Sequence, residues 1–167
     1  YLHRIIKSDL ESFGEFVVLA PESMLSLPTS KEEIYYKDWR LLGVDYLVIG
    51  GIKDSDLDGN TETNYFIFDI AREKSIHRGN VIGPIKSLRK IGHKMSDKIY
   101  EKIQGIPGIF STKLAYIDKP SSEDPNYNLR ISDIDGFESI SLFSSPQPLM
   151  SPSWSPDRKE IAYVSFE

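Results

Sequence analysis

The spacing of apolar residues changes once along this chain, near residue 110, and that change limits what it can fold into. Before Gly105 the apolar residues recur at helical steps or form continuous runs. After Lys113 they form only short runs, Leu114–Ile117, Leu129–Ile134, Ser139–Phe143, Ser153–Trp154 and Ile161–Phe166, separated by turn residues at near-regular intervals. A helical period marks an amphipathic helix, and short evenly spaced apolar runs mark strands of a sandwich, barrel or propeller. The chain therefore reads as an α/β domain over residues 1–105, a linker over 106–112, and an all-β segment over 113–167.

Within the first part, Leu2, Ile5, Ile6, Leu10 and Phe13 define a helix that Gly14 ends. Phe16–Leu19 reads as a short strand stopped by Pro21. Ser30 and Glu33 spell a capping box at the start of a helix whose Tyr35, Trp39 and Leu42 share one face, with Gly43 at its end. Val44–Lys53 reads as a strand buried on both faces, Asp54–Asn64 as a polar loop, and Tyr65–Ile70 and Ser75–Ile82 as two strands joined by a turn at Arg72–Lys74. Leu88, Ile91, Met95, Ile99 and Ile103 give the clearest helix, ended by Gly105, Pro107 and Gly108. The domain is thus a mixed sheet with two or three helices.

Composition removes several classes of function. There is no cysteine among the 167 residues, so disulfide scaffolds, thiolate zinc sites and cysteine nucleophiles are excluded. The net charge is −5, and residues 106–167 hold 9 acidic against 5 basic side chains, a poor basis for binding phosphate backbones. The longest apolar stretch, Tyr46–Ile52, is far short of the roughly 20 residues of a spanning helix, so no membrane span is expected. The opening YLHRIIKSDL lacks the basic start and apolar run of a signal peptide. No nucleophile elbow, zinc-protease motif, phosphate loop or dinucleotide fingerprint occurs, and His3, His77 and His93 have no metal-ligand spacing. The expectation is a non-enzyme without a cofactor.

The last 14 residues carry a tight-turn hairpin: Trp154 ends one strand, Ser155-Pro156-Asp157 begins the turn, and Ile161-Ala162-Tyr163-Val164 returns. This hairpin resembles the repeat of TolB-type propellers. Further residues extend the resemblance in order: Asp9-Leu10, Gly14 and Phe16; Trp39, Leu42-Gly43, Asp45, Val48 and Gly50; Glu101-Lys102, Gly105-Ile106, Gly108, Phe110, Thr112 and Ala115-Tyr116; Ser132 to Gly136; and Ser145 to Pro152. Arg158 stands where the repeat usually has glycine, so Arg158 is strained there or the turn type differs. A propeller blade takes about 40–45 residues, so residues 113–167 supply roughly 1.3 blades, an incomplete all-β propeller segment.

The resemblance implies an internal piece of a periplasmic, non-enzymatic adaptor of the Tol-Pal system, which supports outer-membrane constriction at division and is exploited by some bacteriocins. It implies the lipoprotein Pal as a partner of the propeller, and TolA as a partner of a segment ahead of Tyr1. The alternative classes are a propeller-type accessory domain of a serine peptidase, which needs a hydrolase domain, and a nucleic-acid-binding α/β module.

The candidate partner contact is the loop Ser145–Ser151, with Gln147, Pro148, Leu149, Met150 and Ser151 its named residues. Two prolines preorganise it, methionine adapts to a partner's shape, and a cis Gln147–Pro148 bond would make it a slow switch. Leu149 and Met150 are equally readable as core residues entering a strand. Gly105, Pro107 and Gly108 fit a hinge or a plain helix stop. Asp54, Asp56 and Asp58 before Gly59 spell the opening of a calcium loop, but Tyr65 occupies the position of its bidentate glutamate; the other reading is a solvated acidic connection. Lys86, Arg89, Lys90, Lys94, Lys98 and Lys102 make the long helix basic without interleaved aromatics, so no nucleic-acid partner is expected.

Overall fold

A computed structural model describes residues 1–54, 59–119, 121 and 125–166. It divides into two units, Tyr1–Gly108 and Ile109–Glu167.

The first unit has the order α1 (Leu2–Ser12), α2 (Tyr36–Leu41), β1 (Tyr46–Asp54), β2 (Asn60–Asp69), β3 (Lys74–Pro84) and α3 (Leu88–Gln104). The three strands form one sheet in the order β1-β2-β3, antiparallel at both pairings because consecutive hairpins join them. Side chains alternate across β2. Thr61, Thr63, Tyr65, Ile67 and Asp69 are buried on the face that meets α3, while Phe68 and Ile70 join Ile34, Trp39, Leu47 and Ile49 in a core on the other face. The α3 stripe is as expected: Ile91, Met95 and Ile99 are all buried, and α1 packs beside it through Leu2, Ile5 and Leu10. Gly14, Gly43 and Gly105 follow their helices with φ of +71°, +71° and +78°, the left-handed region that relieves the last carbonyls of a helix.

Four expectations are corrected. Phe16–Leu19 is not a strand. Among the described residues no strand pairs with it; Val17 is 98% exposed and the Val18 N–H donates to the Glu11 carboxylate instead. Glu33 caps the residue before Ser30: it accepts from the Thr29 N–H (2.7 Å) and the Thr29 hydroxyl, which hold its carboxyl below the usual range. The helix there is only a 3₁₀ turn over Lys31–Glu33, and Tyr35 is exposed outside the Trp39 face. β1 is an edge strand that buries Leu47 and Ile49 on one face; it is not buried on both. β2 begins at Asn60 inside the expected loop, because Thr61 and Thr63 pack under α3 and the Thr61 hydroxyl donates to the Lys53 carbonyl.

Tyr65 shows what this packing demands. Its ring, 1% exposed, lies where a Cβ on Gly79 would sit, 2.2 Å from Cζ, so only glycine fits in β3 opposite it. Burial, followed by the charge of Glu101, pushes the Tyr65 phenol up to about 12. A raised acid pKa means the folded state holds its proton while the unfolded tyrosine loses its own near pH 10, so stability falls as pH rises between about 10 and about 12. Tyr65→Phe is expected to flatten that part of an alkaline denaturation profile.

The second unit contains β4 (Lys113–Asp118), β5 (Tyr127–Asp133), β6 (Ile140–Ser145), β7 (Leu149–Trp154) and β8 (Ile161–Ser165). β4-β5-β6 form an antiparallel meander and β7-β8 a hairpin, with β7 packed against β4 and β5. No helix occurs among the described residues after Thr112. In the terminal hairpin the Ser155 hydroxyl accepts from the N–H groups of Lys159 and Glu160, and the Arg158 N–H donates to the Ser155 carbonyl. Arg158 has φ +61°, so the turn is kept and the arginine takes the strained conformation. Left-handed backbone costs an L-residue about 1–2 kcal/mol, partly offset by the greater unfolded freedom of glycine. Arg158→Gly is therefore expected to stabilise the hairpin by about 0.5–1 kcal/mol, read as a higher midpoint in urea.

Candidate partner-binding surface

The expected contact segment straddles a turn and a strand. Ser145, wholly buried, ends β6, and its hydroxyl accepts from the Gln147 N–H at 3.0 Å, which folds the chain back at once. Pro146 and Gln147 stand exposed on the turn, and every described peptide bond, Gln147–Pro148 included, is trans. The Pro148 carbonyl accepts from the Phe166 N–H, tying the turn to the far end of the hairpin. The expected loop thus extends only to Pro148.

β7 then separates the two apolar candidates. Leu149 is 3% exposed and belongs to the core, whereas Met150 is 52% exposed. Ser151 has φ +52° and lies in a bulge, since Met150 pairs with Val164 and the next paired residue is Ser153. Cross-strand pairing sets Val164 beside Met150, and Phe166 follows two residues on; they are 48% and 58% exposed. The surface on this hairpin is therefore Met150, Val164 and Phe166 beside the Pro146–Gln147 turn. Val164 and Phe166 were missed, although their alternate spacing in Ile161–Phe166 carried the signal.

The remaining candidates fall elsewhere. Gly105 is the left-handed cap of α3, its N–H donating to Glu101. Pro107 is exposed, but a Cβ on Gly108 would lie 2.5 Å from the Asp97 Cα, so Gly108 is packed tightly against α3. Asp56 and Asp58, with the side chain of Asp54, lie outside the described residues. In the basic helix, Lys98 and Lys102 pair with Glu101, at 2.6 and 3.5 Å. His93 is buried, its Nδ1 2.9 Å from the Asp9 carboxylate, joining α3 to α1. His77 sits 5.8 Å from the Tyr65 ring, and burial, then the charges of Lys102 and Lys98, hold its pKa below the usual value. No helix among the described residues is long and apolar enough to cross a membrane.

Comparison with known proteins finds two family models matched in succession along the chain. The model of the TolB amino-terminal domain matches residues 1–76, and that of the TolB beta propeller domain matches residues 100–167. The Tol-Pal system protein TolB of Alcanivorax borkumensis is 40% identical over 98% of this chain and 37% of its own length. The protein of the same name from Pseudomonas aeruginosa is 37% identical over 99% of this chain and 38% of its own. The crystal structure of TolB from Acinetobacter baumannii aligns with a TM-score of 0.87 at 33% identity, covering 99% of this chain and 41% of that one. The chain therefore spans about two-fifths of the length of these relatives, and it belongs to the TolB family, carrying the amino-terminal domain and the opening of the propeller.

Proposed function

We propose that this protein is a non-enzymatic adaptor of the Tol-Pal system, working in the periplasm and contacting Pal through its propeller. Membership in a family whose relatives carry the Tol-Pal name supports the system. TolA is assigned to a segment ahead of Tyr1. The observation that carries the contact is the exposure of Met150 beside a turn stiffened by Pro146 and Pro148. A rigid turn loses little entropy on binding, and a thioether adapts to the surface it meets. Gln147 on the turn and Ser151 next to the methionine supply polar contacts; Leu149 anchors the strand in the core.

The test uses the full-length protein and purified Pal in calorimetric titration. Met150→Ser, at an exposed site, is expected to fold normally and to weaken binding about fivefold, a loss of about 1 kcal/mol. Unchanged affinity in the folded variant removes this contact. Leu149→Ser is the control: it lowers stability because it empties a core position.

A further inference from the structure

The sheet of the first unit leaves part of one face uncovered. There an open cleft of about 400 Å³ lies between β1-β2-β3 and the segment Thr29–Glu32. That volume falls within the range of small-ligand sites, roughly 300–1,000 Å³. Its floor is apolar: Ile49 from β1, with Phe66 and Phe68 from β2. Arg78 from β3 and Lys31 from the opposite wall bring two cations to it. The Arg78 guanidinium lies over the Phe66 ring, 5.5 Å from its centroid, and neither cation has a carboxylate within ion-pair distance among the described residues. The cation–π contact holds the guanidinium beside the apolar floor, and a guanidinium's fork of N–H donors matches a planar carboxylate. Glu32 lines the same wall, so the cleft favours one negative charge over a multiply charged anion.

Access is from one side. Ile49 and Phe68 also belong to the core around Ile34 and Trp39, which closes the face in that direction. In the other direction Gly51, two residues after Ile49 and on the same face, has open space above it. An apolar floor, a preset cation and a closed end together describe a receptor for the end of a chain. We propose that this cleft binds the free carboxyl terminus of a partner polypeptide whose last residue is aromatic or branched aliphatic. The side chain rests on Phe66 and Ile49, and the terminal carboxylate meets Arg78, with Lys31 adding longer-range attraction. This site is separate from the Pal contact proposed above, which uses residues beyond Gly108.

The test follows backbone amide NMR shifts while the protein is titrated with three peptides: acetyl-Gly-Ser-Phe as the free acid, the same peptide amidated, and acetyl-Gly-Asp-Phe-amide. The free acid is expected to bind saturably, with shifts at residues 49–51 and 66–68, and about tenfold more tightly than either amide. Arg78→Gln is expected to reduce acid binding to the level of the amide and to leave the amide unchanged. Ser30→Trp, which fills the cleft from an accessible position, is expected to abolish both. Equal binding of acid and amide, shifts confined to other residues, or no saturation by about 10 mM overturns the proposal. Equal binding of the internal aspartate peptide also overturns it, because the cleft would then read a side-chain carboxylate and not a chain end.

Discussion

Asp9→Ala is expected to cost about 3 kcal/mol of stability and to lower the melting temperature by about 10 °C. Both side chains of the Asp9–His93 pair are 2% exposed, and Nδ1 lies 2.9 and 3.1 Å from the two carboxylate oxygens. Nε2 has no hydrogen-bond partner among the described residues. Removing the carboxylate therefore leaves a buried imidazole with neither nitrogen bonded to the protein among the described residues. Asp9→Asn keeps an acceptor and is expected to cost about 1 kcal/mol. The discriminating variant is Asp9→Leu with His93→Leu, which removes both polar groups and is expected to cost less than Asp9→Ala alone. Urea denaturation of wild type, Asp9→Leu, His93→Leu and the double variant measures the coupling; additive losses would mean that the pair contributes nothing as a pair.

Trp39→Ala is expected to cost about 3–5 kcal/mol, the range for deleting a large buried aromatic side chain. Trp39 is 2% exposed and holds the second core together, between Ile34 and the sheet residues Leu47, Ile49, Phe68 and Ile70. Its Nε1–H has no acceptor among the described residues, so what it supplies is volume rather than a hydrogen bond. Trp39→Phe loses some of that volume but also removes an unsatisfied donor, and is expected to cost less than about 1 kcal/mol. Thermal unfolding of both variants checks this; a phenylalanine variant as unstable as the alanine one would show that the indole nitrogen is bonded after all.

These two residues also explain the family pattern in physical terms. Asp9 and Trp39 stand out in the sequence as parts of short motifs, yet neither motif names a partner. Asp9 is matched by a histidine 84 positions away, and Trp39 by the inward face of a sheet that begins seven residues later. Both motifs mark how the amino-terminal domain closes on itself.

What local sequence determined is considerable. α1 and α3 were legible because their stripes recur at helical steps and end at glycine, and the strands of the second unit because turn residues bracket short apolar runs. Those signals act between neighbours in the chain, so they need no fold to be read. The failures are of another kind. Phe16–Leu19 has the composition of a strand, and no strand among the described residues pairs with it. Val44–Lys53 looks doubly buried, but in β1 the burial falls on the face of Leu47 and Ile49. Thr61 and Thr63 look like loop residues until α3 covers them. In the candidate surface, adjacent Leu149 and Met150 are alike in sequence, and the strand pleat sends one into the core and the other to solvent. Apolar composition says that a segment seeks burial; which face is covered, and by what, is set only when elements distant in the chain come together.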